Sequence, residues 1–300
     1  MEILMGEDDF ARQMADKLKM EFVKFNTSVF PDSELKPVIE NEDKVKGKSV
    51  LLVMRTTRFK PSVSDCLMKI YFVCKTLGRL GCEISLFLPW MFYSRQDKKF
   101  LPGEPESLKN IAEFYESLNV KNIFTVNSHL FGKENPLQSY FKKIKVHDLS
   151  PSKLFAEYLK NKNLNDPIVL GPGIGPAIMI KELSKMLNAS FECLEKERDY
   201  KTQEVVMKPP KSDLKNRDVI IYDDISASAG TIIPAFNIAR EFEPSRIFIV
   251  LTHIITKNGI ERLYKANSSE TITTNSFVSE EKISFTELSL LALICDNFKH

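Results

Sequence analysis

The stretch Val219-Ile220-Ile221-Tyr222-Asp223-Asp224-Ile225-Ser226-Ala227-Ser228-Ala229-Gly230-Thr231 changes character at its midpoint. Its first half is apolar and β-branched, the composition of a parallel strand buried on both faces. Two adjacent carboxylates then interrupt the run. Buried charges are costly, so the strand is expected to span residues 218–222 and the acids to lie where it leaves the sheet. The small residues and hydroxyls that follow read as a turn presenting backbone N–H groups at the start of a helix over residues 231–240, a cup for phosphate with acids beside it. Such acids suit hydroxyls to be gripped or a divalent cation to be shared, so a phosphorylated sugar fits better than a free nucleobase. No Lys follows Gly230, which excludes a standard Walker A loop.

The same alternation of buried strand and amphipathic helix extends outward in both directions. Before the cup, helices are expected over residues 9–18, 63–80, 106–118, 151–159 and 177–187, and strands over 49–54, 83–88, 122–126, 167–170 and 191–194. After it come strands at 246–251 and 271–274 and a last helix near 285–295. This βαβ pattern predicts an α/β fold of two tandem domains, residues 1–145 and 146–300, each with a mainly parallel sheet flanked by helices. The charged, proline-bearing segment 199–213 reads as a hairpin or a flap able to close over an anionic substrate.

Bulk properties narrow the function classes. With 42 basic and 40 acidic residues the net charge is only +2, which gives no electrostatic reason to expect nucleic acid binding. No apolar stretch is long enough for a membrane span and no signal-peptide pattern opens the chain, so a cytoplasmic protein is expected. Cys66, Cys74, Cys82, Cys193 and Cys295 have neither metal-ligand nor disulfide-framework spacing and read as small hydrophobes.

Three further constellations carry chemistry. Arg95 and Gln96, in Tyr93-Ser94-Arg95-Gln96-Asp97-Lys98-Lys99, combine a planar guanidinium with an amide, a pair suited to phosphate and base recognition or simply to a solvated loop. His129 follows the 122–126 strand, where α/β sites gather, and is a candidate metal ligand or phosphate contact as well as a candidate structural residue. His253, with a similar address, is read as structural. In Glu195-Lys196-Glu197-Arg198 an extended backbone puts Lys196 and Arg198 on one face, either to neutralise a transferring phosphoryl group or as an alternating solvated edge.

Taken in order, these segments resemble ribose-phosphate pyrophosphokinase (phosphoribosyl pyrophosphate synthetase), especially its archaeal form. Phe30-Pro31-Asp32-Ser33-Glu34, Tyr93 to Phe100, Gly103-Glu104, Leu194 to Arg198, Asp223 to Thr231 and Thr252-His253 carry the likeness across almost the whole chain. The resemblance implies two phosphoribosyltransferase-like domains in a homodimer or higher homo-oligomer. It implies Mg²⁺-dependent transfer of the β,γ-diphosphoryl group of ATP to the anomeric hydroxyl of ribose 5-phosphate. By this likeness Phe30, Asp32, Glu34, Arg95, Gln96 and His129 bind ATP, and His129 also contacts the metal. Lys196 and Arg198 are catalytic, and Asp223, Asp224, Ser226, Ala227, Ser228, Ala229, Gly230 and Thr231 bind ribose 5-phosphate.

The chain also departs from the family pattern. Gly171-Pro172-Gly173-Ile174-Gly175 stands where a Ser/Ala-Pro-Asp sequence is common, so the metal-associated Asp is replaced by Gly173. The cup reads Ser228-Ala229-Gly230-Thr231 in place of Thr-Gly-Gly-Thr, and a Cβ at Ala229 is expected to narrow the loop or to oppose a positive φ. Asn127 stands where many members have Asp, and Arg58-Phe59-Lys60 adds bulk and charge to a loop. Two alternatives stay open at this stage. The cup alone would serve a phosphoribosyltransferase acting on a base, and the departures suit a divergent, catalytically weak or regulatory homologue.

Overall fold

A computed structural model describes residues 1–57, 62–198, 205–278 and 284–298, and at 197–198, 205–206 and 295–296 the backbone alone. Arg58-Phe59-Lys60 lies outside the described residues. The chain divides into two compact units, Met1–Leu130 with Glu134–Leu149 and Leu291–His300, and Phe131–Lys133 with Ser150–Leu290.

Unit 1 contains, in chain order, β1 (Ile3–Gly6), α1 (Asp9–Leu18), β2 (Glu21–Val29), β3 (Leu35–Ile39), β4 (Ser49–Val53), α2 (Val63–Arg79), β5 (Glu83–Phe87), α3 (Ser107–Glu116), β6 (Val120–Val126) and β7 (Lys145–Leu149). Its seven strands lie in the order β3-β2-β1-β4-β5-β6-β7, parallel except for the β2–β3 hairpin. The helix boundaries have local causes. Asp8 caps α1 by accepting from Ala11 N–H at 2.9 Å, and Ser62 with Asp65 forms a reciprocal capping box at the start of α2.

Unit 2 contains α4 (Ser152–Lys160), β8 (Ile168–Gly171), α5 (Ala177–Leu187), β9 (Ser190–Cys193), β10 (Lys196–Arg198), β11 (Val205–Met207), β12 (Asp218–Ser226), α6 (Ile232–Arg240), β13 (Arg246–Ile254), α7 (Lys257–Ala266), β14 (Glu270–Thr274) and β15 (Thr286–Leu288). Its six-stranded sheet, β15-β14-β13-β12-β8-β9, is wholly parallel, and β10–β11 forms a separate antiparallel hairpin. Parallel strands covered on both faces are apolar throughout, and Val219, Ile220, Ile221 and Tyr222 on β12 are all fully buried. At the amino end of β12, Asp218 is fully buried and accepts two hydrogen bonds from Arg246 on β13, at 2.9 and 2.5 Å. Together they pin the register of the two central strands.

Several boundaries differ from the sequence expectation. No strand is expected from the sequence between residues 126 and 167, yet β7 forms at Lys145–Leu149, because pairing with β6 extends strand structure into a segment of weak local pattern. The first sheet therefore runs to Leu149, not to residue 145. The helix expected near 285–295 is β15 followed by α8 (Leu291–Asn297), and α8 packs on α1 of unit 1, where Phe298 meets Phe124 with ring centroids 4.2 Å apart. The second unit accordingly stops at Leu290 and not at the C-terminus. The 199–213 segment contributes β11, and residues 199–204 lie outside those described. Cys66 and Cys74 are buried as expected, and burial pushes the Cys74 thiol up to about 12. No helix of the described residues is long and apolar enough to cross a membrane.

Candidate active site

In unit 2 the strand order reverses between β8 and β12: β9 lies outward of β8 on one side, and β13, β14 and β15 outward of β12 on the other. In open α/β sheets the crevice beyond the carboxyl ends of strands at such a reversal is where ligands bind. β8 pairs with β12 only as far as Leu170↔Ile221, whereas β13 accompanies β12 to Ser226↔Ile254. β12 thus does not end at Tyr222, as its composition suggested. It continues through Asp223, Asp224 and Ile225 because β13 still supplies backbone partners after β8 has ended.

The two carboxylates are therefore carried on the strand, and Asp223 and Asp224 are only 9% and 8% exposed. Burial, and next the charge of Asp224, push the pKa of Asp223 well above the ordinary carboxylate value. A hydrogen bond from Asp224 N–H at 3.0 Å and the charge of Lys196 act the other way. A cation or a set of sugar hydroxyls arriving here would relieve that strain. Ser226 lies on the same strand face as Asp224, and its buried hydroxyl has no hydrogen-bond partner among the described residues.

Beyond Ser226 the chain forms the expected turn. Ser228 and Gly230 are exposed, and Thr231 precedes α6 without making a side-chain capping bond; in the first turn Ile233 N–H donates to the Ala229 carbonyl at 3.0 Å and Pro234 has no N–H, so Ile232 is the helix amide left to face a ligand. Ala229 adopts φ 54°, the left-handed conformation that a Cβ disfavours. Its methyl does not narrow the cup, since Ala229 is 2% exposed and belongs to the core with Ile232, Leu251 and Ile254.

Lys196 opens β10, opposite Met207 of β11. Its side chain crosses Gly173, in the loop after β8: a Cβ placed there would lie 3.3 Å from both Cε and Nζ of Lys196. Backbone geometry puts Arg198 two residues along the same strand, and its side chain lies outside those described. His253 falls within β13, is 1% exposed, and has Nδ1 2.9 Å from Ser276 Oγ, in keeping with a structural role. Sequence reasoning passed over α7, whose Thr256 and Arg262 hydrogen-bond carbonyl groups of the cup. Thr256 has the composition of an N-cap, but nothing local announces a contact 29 residues away.

Unit 1 has its own strand-order reversal, between β1 and β4, and there side chains meet each other. Arg55 pairs with Asp8 at 2.7 Å and Lys69 with Glu7 at 2.7 Å, with both cations nearly buried. The other candidate residues of this unit are on loops. Phe30, Asp32 and Glu34 are exposed at the tip of the β2–β3 hairpin, closed by Phe30 N–H to the Glu34 carbonyl at 2.8 Å. Arg95 is exposed, whereas Gln96 braces the start of α3: its Oε1 accepts from the Ser107 hydroxyl at 2.5 Å and its carbonyl from Leu108 N–H at 3.2 Å. His129 is half-buried in the turn after β6, which Asp148 fixes by accepting from Ser128 N–H at 3.0 Å.

Among the described residues no group of three or more His, Cys, Asp or Glu is arranged to hold a metal ion. A carboxylate pair without further protein ligands suits a cation that brings most of its coordination from phosphate oxygens and water.

The family model for the N-terminal domain of ribose phosphate pyrophosphokinase matches residues 2–118, and that for the phosphoribosyl transferase domain matches residues 151–285. A ribose-phosphate pyrophosphokinase of Saccharolobus solfataricus is 30% identical over 269 residues, covering 88% of each chain. The chain belongs to the ribose-phosphate pyrophosphokinase family. Another member, from Methanothermobacter thermautotrophicus, is 28% identical over 291 residues, covering 96% of each chain. The fold agrees with this membership: the crystal structure of phosphoribosylpyrophosphate synthetase from Mycobacterium smegmatis superposes with a TM-score of 0.83, at 23% identity over 99% of this chain and 96% of that one. Both units are thus phosphoribosyltransferase-like domains, in a family of enzymes.

Proposed function

We propose that the protein is an ATP:ribose-5-phosphate diphosphokinase, forming 5-phospho-α-D-ribose 1-diphosphate and AMP. The observation that carries the reading is the pair Asp223 and Asp224 at the strand-order reversal of unit 2, followed by the amide-rich turn into α6. Phosphate held by the turn sets the sugar so that its hydroxyls meet the carboxylates. The C1 oxygen then attacks the β-phosphorus, the bond from that phosphorus to the α-phosphate oxygen breaks, and AMP departs with the electron pair. Lys196 and Arg198 are the cations assigned to the charge that develops on the transferring group.

In unit 1 we assign Phe30, Asp32 and Glu34 to adenine, across the boundary of a homo-oligomer, and Arg95 and His129 to the polyphosphate. Gln96 keeps a role on the ATP side through its amide nitrogen, since its oxygen is engaged with Ser107. Mg²⁺ fits the donor set in unit 2 as a ligand of Asp223 and Asp224, and His129 is the candidate in unit 1. When bound, it offsets polyphosphate charge. Gly173 offers it no carboxylate, so the nucleotide is expected to bring most of its ligands. A cytoplasmic location accords with both small-molecule substrates.

The test is incubation of the pure protein with ATP, ribose 5-phosphate and Mg²⁺, with the nucleotides resolved by chromatography. AMP and phosphoribosyl diphosphate in equal amounts are expected. Folded protein that yields neither would overturn the reading, and formation of ADP would indicate transfer of a single phosphoryl group.

A further inference from the structure

The turn that forms the cup is held from behind by one helix. The Thr256 hydroxyl, at the N-cap of α7, accepts from Gly259 N–H at 3.0 Å and donates to the carbonyl of Ala227. One helical turn and a half further on, Arg262 Nη1 donates to the carbonyl of Ser228 at 2.6 Å. Between them α7 approaches so closely that a Cβ at Gly259 would fall on the Ala227 carbonyl oxygen and lie 3.2 Å from its carbon. Glycine is the one residue this contact admits.

In a trans peptide the C=O and the following N–H point in opposite directions. Fixing the carbonyls of Ala227 and Ser228 against α7 therefore aims the N–H groups of Ser228 and Ala229 away from it. Successive N–H groups turned to one side form an anion-binding concavity, continuous here with the amide of Ile232 at the start of α6. The same bonds hold Ala229 at a φ of 54°, a conformation an alanine does not keep without external constraint.

We propose that Thr256, Gly259 and Arg262 are positioning residues that orient the amides of the cup for the phosphate of the sugar substrate. The inference rests on the ribose 5-phosphate reading of that cup. It assigns α7, whose side chains bond the cup through its carbonyls and not through the ligand, an indirect part in substrate affinity. Arg262 acts through a carbonyl and needs no contact with phosphate.

Titration calorimetry with ribose 5-phosphate, paired with steady-state kinetics, tests it. Losing a hydrogen bond from a charged donor is expected to weaken ribose 5-phosphate binding about 10- to 100-fold in Arg262→Ala, with the KM for ATP within about twofold of the parent. Gly259→Ala is expected to act in the same direction. Thr256→Ser, which keeps the hydroxyl, stays within about threefold of the parent, while Thr256→Val loses affinity as Arg262→Ala does. Parent-like affinity in folded Arg262→Ala and Gly259→Ala, or an equal loss for ATP and sugar phosphate, overturns the proposal. A parent protein that binds no ribose 5-phosphate overturns the reading of the cup itself, and the proposal with it.

Discussion

The side chain of Lys196 occupies the space above Gly173, where a Cβ would stand 3.3 Å from its Cε and Nζ. Gly173 is thus the floor on which this lysine rests. Gly173→Ala would displace the ammonium by a few tenths of an ångström or more. Because misplacement by about 1 Å can cost 10²-fold, a fall in kcat of about tenfold is expected, with the affinity for ribose 5-phosphate retained. Single-turnover measurement of AMP release checks this, and an unchanged rate would show that the lysine has no positional demand.

Lys196→Ala isolates the charge itself. On the proposed reading the ammonium acts mainly when negative charge develops on the transferring group, so kcat should fall about 100-fold or more. The dissociation constant for ribose 5-phosphate should stay within about threefold. Equal turnover in variant and parent would remove Lys196 from the transfer step.

Ala229→Gly tests whether the departure in the cup matters. Relief of the left-handed conformation is worth roughly 1–2 kcal/mol. Against it stand the loss of a buried methyl, about 0.8 kcal/mol, and the greater freedom of glycine in the unfolded chain, about 0.4–1 kcal/mol. These nearly cancel, so thermal stability should change by less than about 1 kcal/mol. Since the methyl packs into the core, the KM for ribose 5-phosphate should also hold within about threefold. A large gain in affinity would mean that the methyl obstructs the cup after all.

Glu270 predicts a pH signature remote from the site. Burial alone would raise its pKa, but hydrogen bonds from Lys162 at 2.8 Å, Thr286 and Tyr158 outweigh it and hold the carboxyl below its ordinary 4.5. A depressed folded pKa contributes stability that is present above the unfolded value and is lost as pH falls through the folded one. Glu270→Gln should therefore destabilise the protein at pH 7, and by less at a pH below the ordinary glutamate value. Urea denaturation at the two pH values measures this, and a pH-independent difference would contradict it.

How much of this was legible in advance follows from the range of the forces involved. The helices at Asp9–Leu18 and Ala177–Leu187 agree with their apolar periodicity, because helical hydrogen bonds are local and the buried stripe repeats within a few residues. The hairpin β2–β3 escaped, since its exposed edge strand β3 lacks a continuous apolar run and exists only through its pairing with β2. Asp223 and Asp224 were visible as a pair, but their burial was not, because it depends on β13 outlasting β8 beside β12.

The sequence by itself determined that apolar strands alternate with amphipathic helices in two α/β domains, and that acids and a small-residue turn stand together after one strand. Residue type and spacing suffice for that, since both act over one or two turns of chain. Only the tertiary structure decided that α8 returns to unit 1, that Lys196 lies over Gly173, and that α7 grips the carbonyls of Ala227 and Ser228. Each of these joins residues far apart in the chain, and such contacts are fixed by packing and by the need to satisfy buried backbone groups rather than by any local pattern.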